Sequence, residues 1–97
     1  MPVHKAVVSA SIGLHARPAA MFVRAVTDTG LPVTISKAGF QGVDARSLLE
    51  VRTADFHHGC EVVLSVSDSA VEAPHGLQAV EAALLSLAEL LESQGTR

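Results

Sequence analysis

Tryptophan and tyrosine are absent, phenylalanine occurs three times (Phe22, Phe40, Phe56) and cysteine once, at Cys60. A core built from this chain must therefore rest on Val, Leu, Ile and Ala, which help to make up the 48% of hydrophobic residues. One cysteine cannot close an internal disulfide, which fits a reducing, cytoplasmic setting. Long uncharged runs are missing too. The most apolar stretch, Leu77 to Leu91, is interrupted by Glu81, Ser86 and Glu89, whereas a membrane span needs roughly 20 nearly uncharged residues. No signal-peptide apolar run precedes the first patterned segment, so neither export nor membrane insertion is expected. The seven basic residues are scattered and the net charge is −3. Nucleic acid is therefore not expected as a partner, because phosphate neutralisation calls for a clustered basic face. At 97 residues a single domain over residues 1–97 is expected, since one core commonly serves about 100 to 150 residues.

What is present is regular patterning. Residues 3–9 alternate, with Val3, Lys5, Val7 and Ser9 on one side and His4, Ala6, Val8 and Ala10 on the other, predicting a strand. From Pro18 to Thr29 the spacing of Ala19, Phe22, Val23 and Val26 is helical, with Pro18 suited to a first turn and Gly30 to the exit. Pro32 to Lys37 alternates again, Gly39 marks a turn, and Phe40 to Val43 reads as a short returning strand. A short helix is expected from Ser47 to about Ala54, and a strand from Glu61 to Ser67 with Val62, Leu64 and Val66 on its apolar face. Asp68 to His75 should turn the chain. Gly76 to about Glu92 then carries Leu77, Val80, Leu84, Leu87 and Leu91 on one helical stripe, which reads as core packing. The order is β-α-β-β-α-β-α. Half-polar strands and one-striped helices predict an α+β open-faced sandwich, an antiparallel sheet with its helices on one face.

The segment Gly13-Leu14-His15-Ala16-Arg17-Pro18-Ala19-Ala20 joins the first strand to the first helix. A helix start offers unpaired N–H groups and a positive dipole end, and so attracts anions. Ordinary starts carry Ser, Thr, Asp or Asn caps and acidic first turns. This one carries His15 and Arg17, a misfit that a visiting anion would explain. Near neutral pH an imidazole is mostly uncharged and nucleophilic at one nitrogen. A phosphoryl group placed there would face the backbone amides of Ala16 and Arg17, and the Arg17 fork could clamp its oxygens. On chemistry alone, a solvated loop histidine beside a solvated arginine explains the same residues.

The motif Gly-Leu-His-Ala-Arg-Pro-Ala resembles the signature of the HPr family, histidine-containing phosphocarriers of the bacterial phosphoenolpyruvate-dependent sugar phosphotransferase system. Phe22, Val33-Thr34-Ile35, Ala45-Arg46-Ser47-Leu48-Leu49 and Gly59-Cys60-Glu61-Val62 extend the resemblance over nearly the whole chain. It implies a four-stranded antiparallel sheet with three helices on one face. It also implies that His15 is a phosphoryl acceptor through Nδ1, Arg17 its phosphate-binding partner, phosphorylated enzyme I the donor, and enzyme IIA domains the acceptors. Such a protein is a stoichiometric carrier without cofactor or metal, not a turnover enzyme, and is expected to be monomeric.

Two further readings stay open. Ser47 matches a serine that a kinase modifies in many members of the family, yet Ser47 with Glu50 also has the spacing of a capping box. Ala20, Met21, Leu48, Leu49 and Val51 match the family's docking patch, although Leu48, Leu49 and Val51 would also serve as core. Arg52 stands where an apolar residue is usual and Asp55 where glycine is usual. With Glu50, these departures leave room for a regulatory or dedicated relative, serving nitrogen control or dihydroxyacetone phosphorylation with the same histidine. Asp55, His57, His58 and Cys60 lack zinc-like spacing and read as a hydrophilic turn. Cys60 itself reads as a small core residue, and His4 and His75 have no evident partner.

Overall fold

The computed structural model describes residues 3–10, 13–37, 39–67 and 76–94. Along the chain run β1 (Val3–Val7), α1 (Ala16–Thr29), β2 (Thr34–Lys37), β3 (Val43–Asp44), α2 (Leu48–Thr53), β4 (Glu61–Ser65) and α3 (Leu77–Ser93). All three sheet pairings are antiparallel, in the order β1-β4-β2-β3. β4 fills the slot between β1 and β2, so those two strands run parallel without touching, joined by the α1 crossover. This is the open-faced α+β sandwich that the patterning predicts. The turn expected over residues 68–75, His75 included, lies outside the described residues.

Alternation decides the two faces of the sheet. Ala6, Val8, Ile35, Val62, Leu64 and Val66 are buried beneath the helices, while Val3, Lys5 and Val7 are exposed on the other side. On that outer face Thr34 Oγ1 and Ser65 Oγ hydrogen-bond across the β2–β4 pair at 2.6 Å. The helices close the core with Ala19, Phe22 and Val26 from α1, Val51 from α2, and Val80, Leu84, Leu87, Ala88 and Leu91 from α3. Burying a side chain such as Phe22 contributes about 1.5–3 kcal/mol before the entropy of ordering it is counted. Cys60 belongs to this core.

Two boundaries and two burial assignments depart from the sequence expectation. α1 begins at Ala16, two residues before Pro18, so proline occupies the third helical position. An N–H in that turn has no intrahelical acceptor either, so the proline costs nothing there. β3 is shorter and later than residues 40–43. Phe40 instead closes a turn, its N–H donating to Lys37 O at 3.0 Å, and its ring is exposed. Leu77 opens α3 in solvent, before the stripe reaches the sheet. Val51 is wholly buried, and of the α2 residues matched to the docking patch only Leu48 and Leu49 remain outside.

The register fixes what meets at one end of the sheet. Val7 lies opposite Glu61, and Lys37 opposite Val62. The exit of β1, the exit of β2 and the entry to β4 therefore share an end. The β1–α1 loop carrying His15 and the α2–β4 loop carrying Asp55 come together there.

Candidate functional site

The two loops are joined through their backbones. Leu14 N–H donates to Phe56 O at 2.7 Å, and Gly59 N–H donates to Val8 O at 2.7 Å. Gly13 makes the first contact possible. Its φ is +74°, and a Cβ there would lie 2.6 Å from Phe56 O and 2.9 Å from His57 Cα. Only glycine tolerates both the left-handed backbone and that approach. Leu14 and Phe56 are buried beneath the junction. The His58 ring adds a link, with Nδ1 at 3.2 Å from Ser9 O and 3.3 Å from Ala10 O.

On this platform His15 is the N-cap of α1, with extended backbone (φ −129°, ψ 163°) and no side-chain cap bond. The first intrahelical bond runs from Ala19 N–H to His15 O at 3.5 Å. Pro18 has no N–H, so the amides of Ala16 and Arg17 are the first-turn donors left over by helix geometry. The first turn holds no acidic residue, so the positive end of the helix keeps its charge uncompensated from within. Ala16 adopts φ +50°, a conformation costing a non-glycine residue about 1–2 kcal/mol. α3 holds this turn from the other side, since Gln94 Nε2 donates to Pro18 O at 3.0 Å.

His15 Nε2 lies 2.9 Å from Asp55 Oδ1, with the imidazole 38% and the carboxylate side chain 69% exposed. An ionised carboxylate only accepts, so Nε2 carries the proton in this contact. The hydrogen bond from His15 is the main reason the Asp55 carboxyl titrates below its ordinary range. A slight burial cost opposes that, and the charge on His15 when the ring is protonated, on Lys37 and on a protonated His57 adds to the lowering. Lys37 Nζ also donates to Asp55 O at 2.9 Å and stands 4.9 Å from the Phe40 ring centre. Nδ1 of His15 has no hydrogen-bond partner among the described residues, and the exposed Arg17 guanidinium makes no ion pair there. An open nucleophilic nitrogen, two spare amides and a spare guanidinium thus stand at one helix start.

The remaining predicted residues fall into separate places. Ala20, Met21, Leu48 and Leu49 are exposed, Leu49 to 76%. Ser47 caps α2, its Oγ accepting from Glu50 N–H at 3.2 Å. The reciprocal half of the expected capping box is replaced. Glu50 Oε1 accepts from Asp44 N–H at 3.1 Å, while Ser47 N–H donates to Asp44 O. Among the described residues no three metal-ligating side chains gather, Asp55 being turned to His15 and His58 to strand-end carbonyls. No described helix is long and apolar enough to cross a membrane. Asp55 is the site residue that sequence reasoning did not connect with His15. Its one signal was an aspartate standing where glycine is usual.

Fold and site together define a class: a small open-faced sandwich presenting a histidine and an arginine at the first turn of its first helix. The comparisons with known proteins narrow it. The family model described as PTS HPr component phosphorylation site matches residues 3–93. The phosphocarrier protein HPr of Streptomyces coelicolor is 48% identical over 79 residues, covering 81% of this chain and 75% of the relative. Among solved structures, HPr-C-His from Thermoanaerobacter tengcongensis superposes with a TM-score of 0.75 at 27% identity, covering 100% of this chain and 98% of that one. A phosphocarrier protein HPr from Bacillus anthracis gives 0.69 at 28% identity, covering 93% and 95%. The chain belongs to the HPr family of phosphocarriers of the phosphotransferase system.

Proposed function

We propose that this chain accepts a phosphoryl group on His15 from phosphorylated enzyme I and passes it to enzyme IIA domains during sugar uptake. The observation that carries the reading is His15 at the cap of α1, with Nδ1 unpartnered among the described residues and the amides of Ala16 and Arg17 unclaimed by the helix. In the transfer, the Nδ1 lone pair forms the N–P bond as the bond to the donor atom breaks, and that pair of electrons stays with the donor. The phosphoryl oxygens take the Ala16 and Arg17 amides and the Arg17 guanidinium, which suit an anion at a helix start. Onward transfer reverses the roles. The chain is thus a carrier restored by its acceptor, working as a cytoplasmic monomer of one domain, residues 1–97, without cofactor.

Ala20, Met21, Leu48 and Leu49 supply the docking patch, a few apolar side chains suited to brief contacts. Ser47 serves as a cap. A serine kinase placing phosphate there would set it beside Glu50, and the two negative groups would repel. Arg52 and Asp55, exposed near the end of α2, favour a second reading in which a dedicated or regulatory relative uses the same histidine with other acceptors.

Incubation with phosphoenolpyruvate and enzyme I is expected to give one acid-labile, base-stable phosphate per chain by intact mass, and none in His15→Ala. An unchanged mass in the unmodified protein would reject the carrier reading. Discharge by a sugar-specific enzyme IIA separates sugar uptake from the dedicated role.

A further inference from the structure

Asp55 is the second non-glycine residue of the site with positive φ, at +57°. A side chain in the left-handed region costs about 1 kcal/mol relative to glycine, although aspartate bears it better than most. The contact bought by this conformation joins residues 40 apart in the chain, Asp55 Oδ1 to His15 Nε2 at 2.9 Å. Its location is fixed by backbone, through Leu14 N–H on Phe56 O at 2.7 Å and Lys37 Nζ on Asp55 O at 2.9 Å. With the carboxylate 69% exposed, the pair adds little to stability. Its effect falls on the protons of the ring.

Resting on the carrier reading of His15, we propose that Asp55 is the positioning residue of that histidine. Its carboxylate holds the Nε2–H, leaves Nδ1 as the nucleophile, and keeps Nε2 protonated while Nδ1 carries the phosphoryl group. A neutral imidazole has two tautomers, and only the one protonated at Nε2 can donate to Asp55, which selects a free lone pair on Nδ1. When Nδ1 takes the phosphoryl group the ring becomes a cation with its Nε2–H facing Asp55. When the N–P bond breaks, its electron pair returns to Nδ1 and the ring is again the same neutral tautomer. No proton moves in either direction. Loss of the Nε2 proton from the phosphorylated ring would make the ring a poorer leaving group, and the carboxylate opposes that loss.

The other titratable groups that act on Asp55 are Lys37 at the end of β2 and His57 in the α2–β4 loop. They are common to every variant compared below. The wild type, Asp55→Asn and Asp55→Gly are phosphorylated with phosphoramidate, a small donor whose P–N bond breaks with release of ammonia as the Nδ1–P bond forms. The 31P resonance is then followed against pH, and discharge to water is timed at each pH. In both variants the midpoint at which Nε2 loses its proton is expected to fall by roughly half to one pH unit, as for removal of an adjacent opposite charge at a partly exposed site. Above the new midpoint discharge slows severalfold. Asn and Gly both accept the left-handed backbone, so thermal stability is expected to hold or, for Gly, to rise. A merely structural aspartate would lower stability and leave the titration where it was. Equal midpoints in all three proteins overturn the proposal and leave the carrier reading intact. Failure of all three to take phosphate, from phosphoramidate and from enzyme I alike, overturns both.

Discussion

At the start of α2, Ser47 Oγ accepts from Glu50 N–H, Glu50 Oε1 accepts from Asp44 N–H, and an acidic residue stands in the first turn. At the start of α1 there is no side-chain cap bond, no acidic first turn, a proline where the third amide would be, and Ala16 at φ +50°. A missing cap forgoes about 1 kcal/mol, and the backbone conformation of Ala16 costs about 1–2 kcal/mol more. α1 is nonetheless the longer helix, held by the burial of Ala19, Phe22 and Val26 and closed by Gly30 in the left-handed conformation. The short α2 has one buried residue, Val51, and more need of its caps. The difference teaches where this fold tolerates local misfit. The start with packing to spare is left open to an anion, and the start without it is locked.

The contrast breaks most severely if the platform under the open start is lost. Gly13→Ala would press a Cβ toward Phe56 O at 2.6 Å, from a φ of +74°, with backbone atoms that cannot yield cheaply. A destabilisation of about 2–4 kcal/mol is expected in urea unfolding, along with slower phosphate uptake as the β1–α1 loop that carries His15 shifts off its platform. Stability within about 0.5 kcal/mol of wild type would mean that the two loops are joined less firmly than their contacts imply.

Next in size is Arg17→Ala, which tests the open start alone. The guanidinium makes no ion pair among the described residues, and it stands at the positive end of the helix dipole. Its removal is expected to leave stability within about 0.5 kcal/mol of wild type, or slightly above. Phosphoryl uptake from enzyme I should slow by roughly 10–100-fold, the loss of one charge-assisted clamp on the transferring group. A large loss of stability with unchanged transfer would make Arg17 structural.

Most of the fold was legible in the sequence because its signals are local. Alternation in β1 and β4 and the stripes of α1 and α3 state which side of each element is apolar, and the sheet needs little else. The errors lie where a partner decides. β3 is set by its pairing with β2, so the apolar Phe40 was no guide to it. Val51 and Leu49 are two residues apart on one short helix, and only the tilt of α2 over the core decides which is buried. The His15–Arg17 motif was legible as chemistry, since cationic residues at a helix start oppose the local field. Asp55 was not. Forty residues separate it from His15, and only the register that places Val7 opposite Glu61 brings the two loops to one end of the sheet. The capping box was half right for a related reason. The spacing of Ser47 and Glu50 fixes the first bond, but Glu50 finds Asp44 N–H because the chain doubles back from β3.

The smallest effect sharpens the other side of the comparison. Ser47→Ala removes the acceptor that Glu50 N–H uses at 3.2 Å and is expected to destabilise the domain by about 1 kcal/mol in denaturant unfolding. Ser47→Asp keeps an acceptor at the cap and adds a negative charge at the helix start, which favours it, but places that charge beside Glu50, which opposes it. Its stability should therefore fall between those of alanine and serine. Neither variant should alter uptake on His15 from phosphoramidate, a donor too small to need the Leu48 and Leu49 docking patch, because α2 reaches His15 itself only through the backbone of the loop that follows it. If Ser47→Ala slowed uptake as strongly as Arg17→Ala, the two helix starts would be coupled, and a locked start could no longer be separated from an open one.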